Sequence, residues 1–261
     1  MDYKDVNEKA VDIVQQSGEL VARLINGNIF EEKGKDNFLS YIDLEVQEYL
    51  AKSLKNIFPS APIVSEEFDA NPEIDKGYYW IIDPIDGTTN LIHHYPHFCT
   101  SVTLIKNSEP IIGITYNPVT KDLFRAQKGK GAFLNDRRIS VSKNGVLQKC
   151  ILGFGFPYDK SKILPVMDLL GKAIFKSQDL RRTGSAALDL AYVACGRIDG
   201  FFEFDLEVWD FAAGSLLISE AGGNISDWGN SALNFKGKTN IVATNGLVHK
   251  ELLELINSEN S

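Results

Sequence analysis

The chain has 261 residues, of which 44% are hydrophobic and 24% charged, and a formal net charge of −8. That length fits one or two domains with a sizeable buried core, and the composition excludes wholesale disorder. The acidic balance argues against a nucleic-acid binder or an anionic-membrane binder, since either needs a basic surface.

The first region reads as helix. Val11, Ile13, Val14, Leu20, Val21, Leu24 and Ile25 recur near helical spacing, and Gly27 closes the run. Residues 31–37 read as a loop. A second helix is expected to start near Asp43, carry Val46, Tyr49, Leu50, Leu54 and Ile57, and stop before Pro59. Short β-like runs follow at Ile63–Ser65, Tyr78–Ile82, Thr100–Ile105, Ile111–Tyr116, Leu123–Ala126 and Ala132–Leu134. The second half alternates. Strands are expected at Ile151–Phe154, Gly200–Phe204 and Asn240–Thr244, and helices at Leu164–Lys176, Ala186–Cys195, Phe211–Ala221 and Val248–Asn257. A helical start, a β-rich middle and an alternating end suggest layered sheets with helices between and outside them.

The acidic start, Met1-Asp2-Tyr3-Lys4-Asp5, lacks the pattern of a secretory signal, and no run of about 18 apolar residues is present to span a membrane. Cys99, Cys150 and Cys195 are far apart and odd in number, which reads as reduced, buried thiols in a cytoplasmic protein. His93-His94-Tyr95-Pro96-His97 could bind zinc, but no Cys or carboxylate stands at ligand spacing, so it reads as a surface or substrate-rim loop. Residues 232–239 match a loose phosphate-loop pattern. The next residues read as a strand where that loop needs a helix, so a surface turn is expected.

The informative segment is Trp80-Ile81-Ile82-Asp83-Pro84-Ile85-Asp86-Gly87-Thr88-Thr89-Asn90. An apolar strand runs into Asp83, and Pro84 cannot continue a central strand, so the chain is expected to turn there. Asp83 and Asp86 can then converge on one point. Gly87 permits close backbone approach, and Gly87, Thr88 and Thr89 can expose N–H groups where a helix begins: an anion site beside a cation site. The plain alternative is a β-turn with Asp86 as N-cap. Two further acidic pieces have plain alternatives too: Glu66-Glu67 as a solvated pair after a strand, and Asp210 as the N-cap of the helix that follows Trp209.

Taken together, these pieces resemble the inositol monophosphatase family of metal-dependent, lithium-sensitive sugar phosphatases. The matching segments, in family order, are Glu66-Glu67, residues 80–90, Gly129–Asn135, Arg182–Ala187, Trp209-Asp210 and Glu220–Gly223. The resemblance spans nearly the whole chain, and one departure is Ser40, which stands where the family usually has Thr.

The resemblance implies a layered αβαβα sandwich of two sheets in a single domain, residues 1–261, with subdomains of about 1–145 and 146–261. It implies a phosphomonoesterase using two Mg²⁺ ions and a weaker third, commonly as a homodimer. Glu66, Asp83 and the carbonyl of Ile85 would hold one ion, and Asp83, Asp86 and Asp210 a second. Thr88, hydrogen-bonded to Asp43, would orient and help deprotonate the attacking water. Backbone N–H groups of Gly87 and Thr88 would bind phosphate, and Gly184, Ser185, Ala186 and Glu203 would face the alcohol part of the substrate.

An all-oxygen ligand set favours Mg²⁺ over zinc. Clustered acids would repel a phosphate, and bound cations invert that field. The substrate expected is inositol 1-phosphate or a similar small phosphorylated polyol or sugar. Fructose 1,6-bisphosphate, histidinol phosphate and NADP(H) or nucleotide 3′-phosphates stand as alternatives, and a non-catalytic regulatory protein that kept the fold is the reading from another class.

Overall fold

The computed structural model describes residues 3–26, 35–68, 76–157 and 159–258. Helix α1 spans Lys4–Asn26 and α2 spans Lys35–Ile57. Helix α2 therefore begins well before Asp43, which lies inside it, and residues 35–37 are its first turn rather than a loop. No Gly after Gly34 and no Pro interrupts the run, and a nucleated helix extends at little cost per residue. The expected stop at Gly27 and loop residues 31–34 lie outside the described residues.

The first sheet is a meander built from β1 (Ile63–Ser65), β2 (Tyr78–Asp86), β3 (Cys99–Lys106), β4 (Glu109–Asn117), β5 (Asp122–Gln127), β6 (Gly131–Leu134) and β7 (Arg137–Arg138), in that spatial order. Only β1–β2 is a parallel pair. A short helix, α3 (Thr88–Ile92), interrupts the chain between β2 and β3. The second sheet has the order β11-β12-β10-β8-β9, from β8 (Ile151–Phe154), β9 (Asp179–Arg181), β10 (Gly200–Leu206), β11 (Asn224–Asp227) and β12 (Thr239–Thr244). Its helices are α4 (Ile163–Lys176), α5 (Ala186–Ala194), α6 (Val208–Glu220) and α7 (His249–Ile256). Strands β7, β9 and β11 escaped sequence reasoning because they are two to four residues long and too polar to show apolar alternation.

Three apolar clusters define five layers. Helices α1 and α2 pack Val14, Val21, Val46, Leu50 and Leu54 against Trp80, Ile82, Val102 and Ile114 on one face of the first sheet. Helices α5 and α6 fill the space between the sheets, where Leu188, Leu190, Phe211 and Leu217 meet Tyr79, Phe124, Phe201 and Ile241. Helices α4 and α7 cover the outer face of the second sheet through Val166, Leu169, Leu252 and Leu253. This is the αβαβα sandwich expected. Among the described residues no helix is long and apolar enough to cross a membrane.

One contact sets how deeply α6 sits. A Cβ on Gly113 of β4 would lie 3.0 Å from the Ala213 carbonyl oxygen and 3.2 Å from its Cα. The helix backbone therefore rests directly on the strand.

Candidate active site

The site begins with an irregularity in β2. Its ladder to β3 is regular from Tyr78↔Lys106 to Asp83↔Ser101, then resumes at Asp86↔Cys99. The chain does not turn at Pro84 as expected. It continues as a strand, and a bulge takes up one extra residue where Pro84 has no N–H to give. Residues three apart in a regular strand face opposite sides; the bulge brings Asp83 and Asp86 round to a common side. The carbonyl of Pro84 accepts from Thr100 Oγ1 at 2.9 Å, so the interruption leaves that group satisfied.

Gly87 follows with φ 95°, a left-handed value. A Cβ there would be strained, and it would lie 3.1 Å from the His97 carbonyl oxygen and 3.2 Å from that of Gly184. Gly87, not Asp86, is the N-cap of α3. The first N–H groups of that helix have no carbonyl of an earlier turn to bond.

Each acid has an orientation of its own. Asp86 Oδ2 accepts from the Ser185 hydroxyl at 2.6 Å and the Ala187 N–H at 2.7 Å, at the start of α5. Asp210 is not an N-cap: Glu207 caps α6, Asp210 stands three residues on, and its Oδ2 accepts from the Glu207 N–H at 2.9 Å. In both cases one oxygen is held by backbone or hydroxyl donors and the other is left for the cluster. Ligand oxygens of Asp83, Asp86 and Asp210 lie within 4.8 Å of one another. Glu66, just after β1, lies near enough to the cluster for Asp86 and Asp83 to act on its carboxyl.

Asp83 is 1% exposed, and neither of its oxygens has a hydrogen-bond donor among the described residues. Burial, then Glu66, Asp86, Asp210 and Asp43, push its carboxyl well above the usual range. Burial followed by Asp86 and Glu66 does the same to Asp210. Burial, Glu67 and Asp86 raise Glu66 to about 7, and burial, Glu67 and Glu66 raise Asp43 to about 8. A buried carboxylate lacking a donor is stable only beside a cation or a proton. The four acids offer hard oxygen ligands and no nitrogen or sulfur, so the residues present fit Mg²⁺.

Above the acids lies a cavity of about 690 Å³. Glu66, Asp86, Asp210, Gly87, Thr88, Gly184, Ser185, Ala186 and Glu203 all line it, while Asp43, Asp83 and Ile85 do not. Glu203 is seated against Gly155, where a Cβ would lie 2.0 Å from its carboxyl carbon, and burial pushes its carboxyl to about 8 despite the opposing pull of Arg182. The expected Thr88–Asp43 hydrogen bond is not made: Thr88 Oγ1 donates to the Ile85 carbonyl at 3.0 Å. The two sit in different layers of the site, one facing the cavity and the other on α2 beneath it.

Asn90 has a part that the sequence did not reveal. Its Nδ2 donates to the carbonyls of His97 at 2.6 Å and Thr183 at 2.8 Å, which ties α3 to the segment before α5. His93, His94 and Tyr95 are exposed as expected of a rim loop, but His97 is buried at 8% exposure. The only sequence signal was its position directly before the apolar strand start at Phe98-Cys99.

In this layered α/β protein the inner helices and the bulged strand gather carboxylates around a buried aspartate without donors, beside a cavity that Gly87 and Thr88 line. They form a set of oxygen ligands of the kind hard cations take. The family model of the inositol monophosphatase family matches residues 2–261, and the chain belongs to that family. Nus factor SuhB of Escherichia coli (strain K12) is 38% identical over 254 residues, covering 96% of this chain and 95% of its own. Nus factor SuhB of Salmonella typhimurium (strain LT2) is 40% identical over 229 residues, 87% of this chain and 85% of its own. Among solved structures, inositol monophosphatase from Anabaena (Nostoc) matches with a TM-score of 0.86 at 34% identity, over 98% of this chain and 96% of that one. Extragenic suppressor protein suhB from Bartonella henselae matches with a TM-score of 0.87 at 32% identity, over 98% and 100%.

Proposed function

We propose that the protein is a Mg²⁺-dependent phosphomonoesterase that hydrolyses inositol 1-phosphate or a similar small polyol phosphate by direct attack of water. The observation that carries this reading is Asp83, with two buried oxygens lacking donors among three other acids, directly beneath a cavity that Thr88 and Gly87 rim. Glu66, Asp83, Asp86, Asp210 and the Ile85 carbonyl would hold the ions. Bound Mg²⁺ would acidify the attacking water and neutralise charge on the leaving oxygen. Phosphate would rest on the N–H groups of Gly87 and Thr88. With its own proton given to Ile85, Thr88 Oγ1 presents lone pairs that can accept from and orient a water. Asp43, whose carboxyl Glu67 and Glu66 push up in the absence of cations, would become available to take that water's proton once bound ions offset those charges. Gly184, Ser185, Ala186 and Glu203 would face the alcohol. A cytoplasmic homodimer belongs to the same reading.

The test is phosphate release from inositol 1-phosphate, fructose 1,6-bisphosphate, histidinol phosphate, NADP and a nucleotide 3′-phosphate, with Mg²⁺ and with EDTA. Mg²⁺-dependent release is expected, with the highest kcat/KM on the polyol phosphate. No release from any of them by folded protein would remove the reading.

The name Nus factor carried by relatives near 40% identity favours a second reading, a regulatory role with a macromolecular partner. Full retention of Glu66, Asp83, Asp86 and Asp210 argues against that as the sole function.

Two substitutions separate the roles. Thr88→Ala is expected to lower kcat by about 10²-fold, within the range for losing a proton-handling group, while leaving Mg²⁺ affinity nearly unchanged. Normal kcat at saturating Mg²⁺ would remove Thr88 from the reaction. Glu203→Gln is expected to spare Mg²⁺ binding and to lower kcat/KM selectively for inositol 1-phosphate over a less hydroxylated phosphate, by about 1–3 kcal/mol of lost hydrogen bonding. Equal losses on both substrates would make Glu203 a packing residue.

A further inference from the structure

We propose that Asp189 is a positioning residue for the metal centre: it fixes residues 183–185 so that Ser185 holds Asp86 with one oxygen free for the ion. This rests on the metal-centre part of the function proposed above.

Asp189 lies in α5 and is 2% exposed. Its Oδ1 lies 3.3 Å from His97 Nε2, without the alignment of a hydrogen bond. Its Oδ2 accepts from the Thr183 hydroxyl, and its backbone N–H donates to the Ser185 carbonyl at 3.0 Å. The Asp189 side chain thus holds one end of the Thr183-Gly184-Ser185 segment, and the first backbone turn of α5 holds the other. The far side of that segment is fixed to the metal ligand, through the 2.6 Å bond from Ser185 Oγ to Asp86 Oδ2. Asn90 closes the ring by bonding the carbonyls of both His97 and Thr183. The His97 ring is wedged edge-on against Tyr192, with centroids 5.3 Å apart.

The choice of an acid here is informative. A fifth carboxylate beside four others raises the cost of the empty site, and an amide could accept the same Thr183 proton without that cost. What an amide cannot supply is negative charge. With cations in the cluster, the Asp189 charge would draw them in. Outer partners that orient metal ligands in this way typically change metal affinity or activity by 10–100-fold.

The experiment is Mg²⁺ titration calorimetry without substrate on the full chain, for wild type, Asp189→Asn, Thr183→Val, Thr183→Ser and the double variant Asp189→Asn/Thr183→Val, with the Mg²⁺-induced rise in Tm as a second readout. Asp189→Asn and Thr183→Val are expected to weaken Mg²⁺ binding about 10–100-fold. Thr183→Ser, which keeps the hydroxyl, is expected to bind like wild type. The double variant should lose more than either single variant, because Asn removes the charge and Val removes the bond from Thr183. If Asp189→Asn fails to fold, the Val and Ser variants at 183 still decide. Wild-type affinity in Asp189→Asn, or equal losses in Thr183→Val and Thr183→Ser, would overturn the proposal. A wild type that binds Mg²⁺ but releases no phosphate removes the reaction proposed above and leaves this comparison standing. A wild type that binds no Mg²⁺ overturns both.

Discussion

Asp83→Asn is expected to lower kcat by about 10³-fold, the scale of losing a principal electrostatic element in a water-excluded site. No other acid of the cluster is as deeply buried, and it lacks donors of its own, so nothing in the protein substitutes for its charge. The same substitution should raise Tm in EDTA. It removes one of several like charges that burial and mutual repulsion already disfavour. Activity and metal-free stability should therefore move in opposite directions, which a mere folding defect would not produce. A variant that keeps a tenth of wild-type kcat, or that melts lower in EDTA, would contradict the assignment of Asp83 as the shared ligand.

The second large effect is on the pH dependence of stability. In the metal-free protein the carboxyls of Asp43 and Glu203 are held near 8. The unfolded chain holds the same groups near 4. The folded state therefore binds more protons than the unfolded state throughout the interval between. Stability from this source is complete below about pH 4 and is lost as pH rises through about 8. In EDTA, Tm is expected to fall by about 5 °C or more between pH 5.5 and 8, since one pKa unit is worth about 1.4 kcal/mol and a protein of this size shifts by a few degrees per kcal/mol. Millimolar Mg²⁺ should flatten that profile, and its stabilisation should be larger at pH 8 than at pH 5.5, because cations then replace the missing protons. Thermal melts across pH in EDTA and in Mg²⁺ would show this. A flat profile in EDTA would mean that the acids are not crowded together as described.

Much of this was legible in the sequence. Long amphipathic runs and apolar strands announce themselves through period, so α1, β1, β8 and the helices of the second half fell where expected, within a residue or a few. The acids proposed as metal ligands were legible through the family resemblance of the joined segments, since each acidic piece alone had a plain structural reading. The errors share one physical origin. Pro84 forbids a ladder hydrogen bond, but whether a strand then turns or bulges depends on what the partner strand offers, and here Thr100 takes the loose carbonyl. The early start of α2 depends on tertiary support that propensity does not express. His97, Thr183 and Asp189 are 86 and 6 residues apart in sequence, and no periodicity links them. Their association exists only once α5 is laid between the sheets.

The bare backbone at Gly113 has a consequence for how this centre can drift over evolutionary time. Asp83 belongs to the first sheet and Asp210 to the helix that leans on it, so the gap between the two ligands is a height above the strands rather than a local loop length. That height is fixed where Ala213 touches Gly113, one turn along the helix from Asp210. Even a single methyl group at 113 would act as a shim under the helix, lifting one ligand relative to the other by tenths of an ångström. A residue with no side chain, outside the cavity, therefore sets the spacing of the two acids.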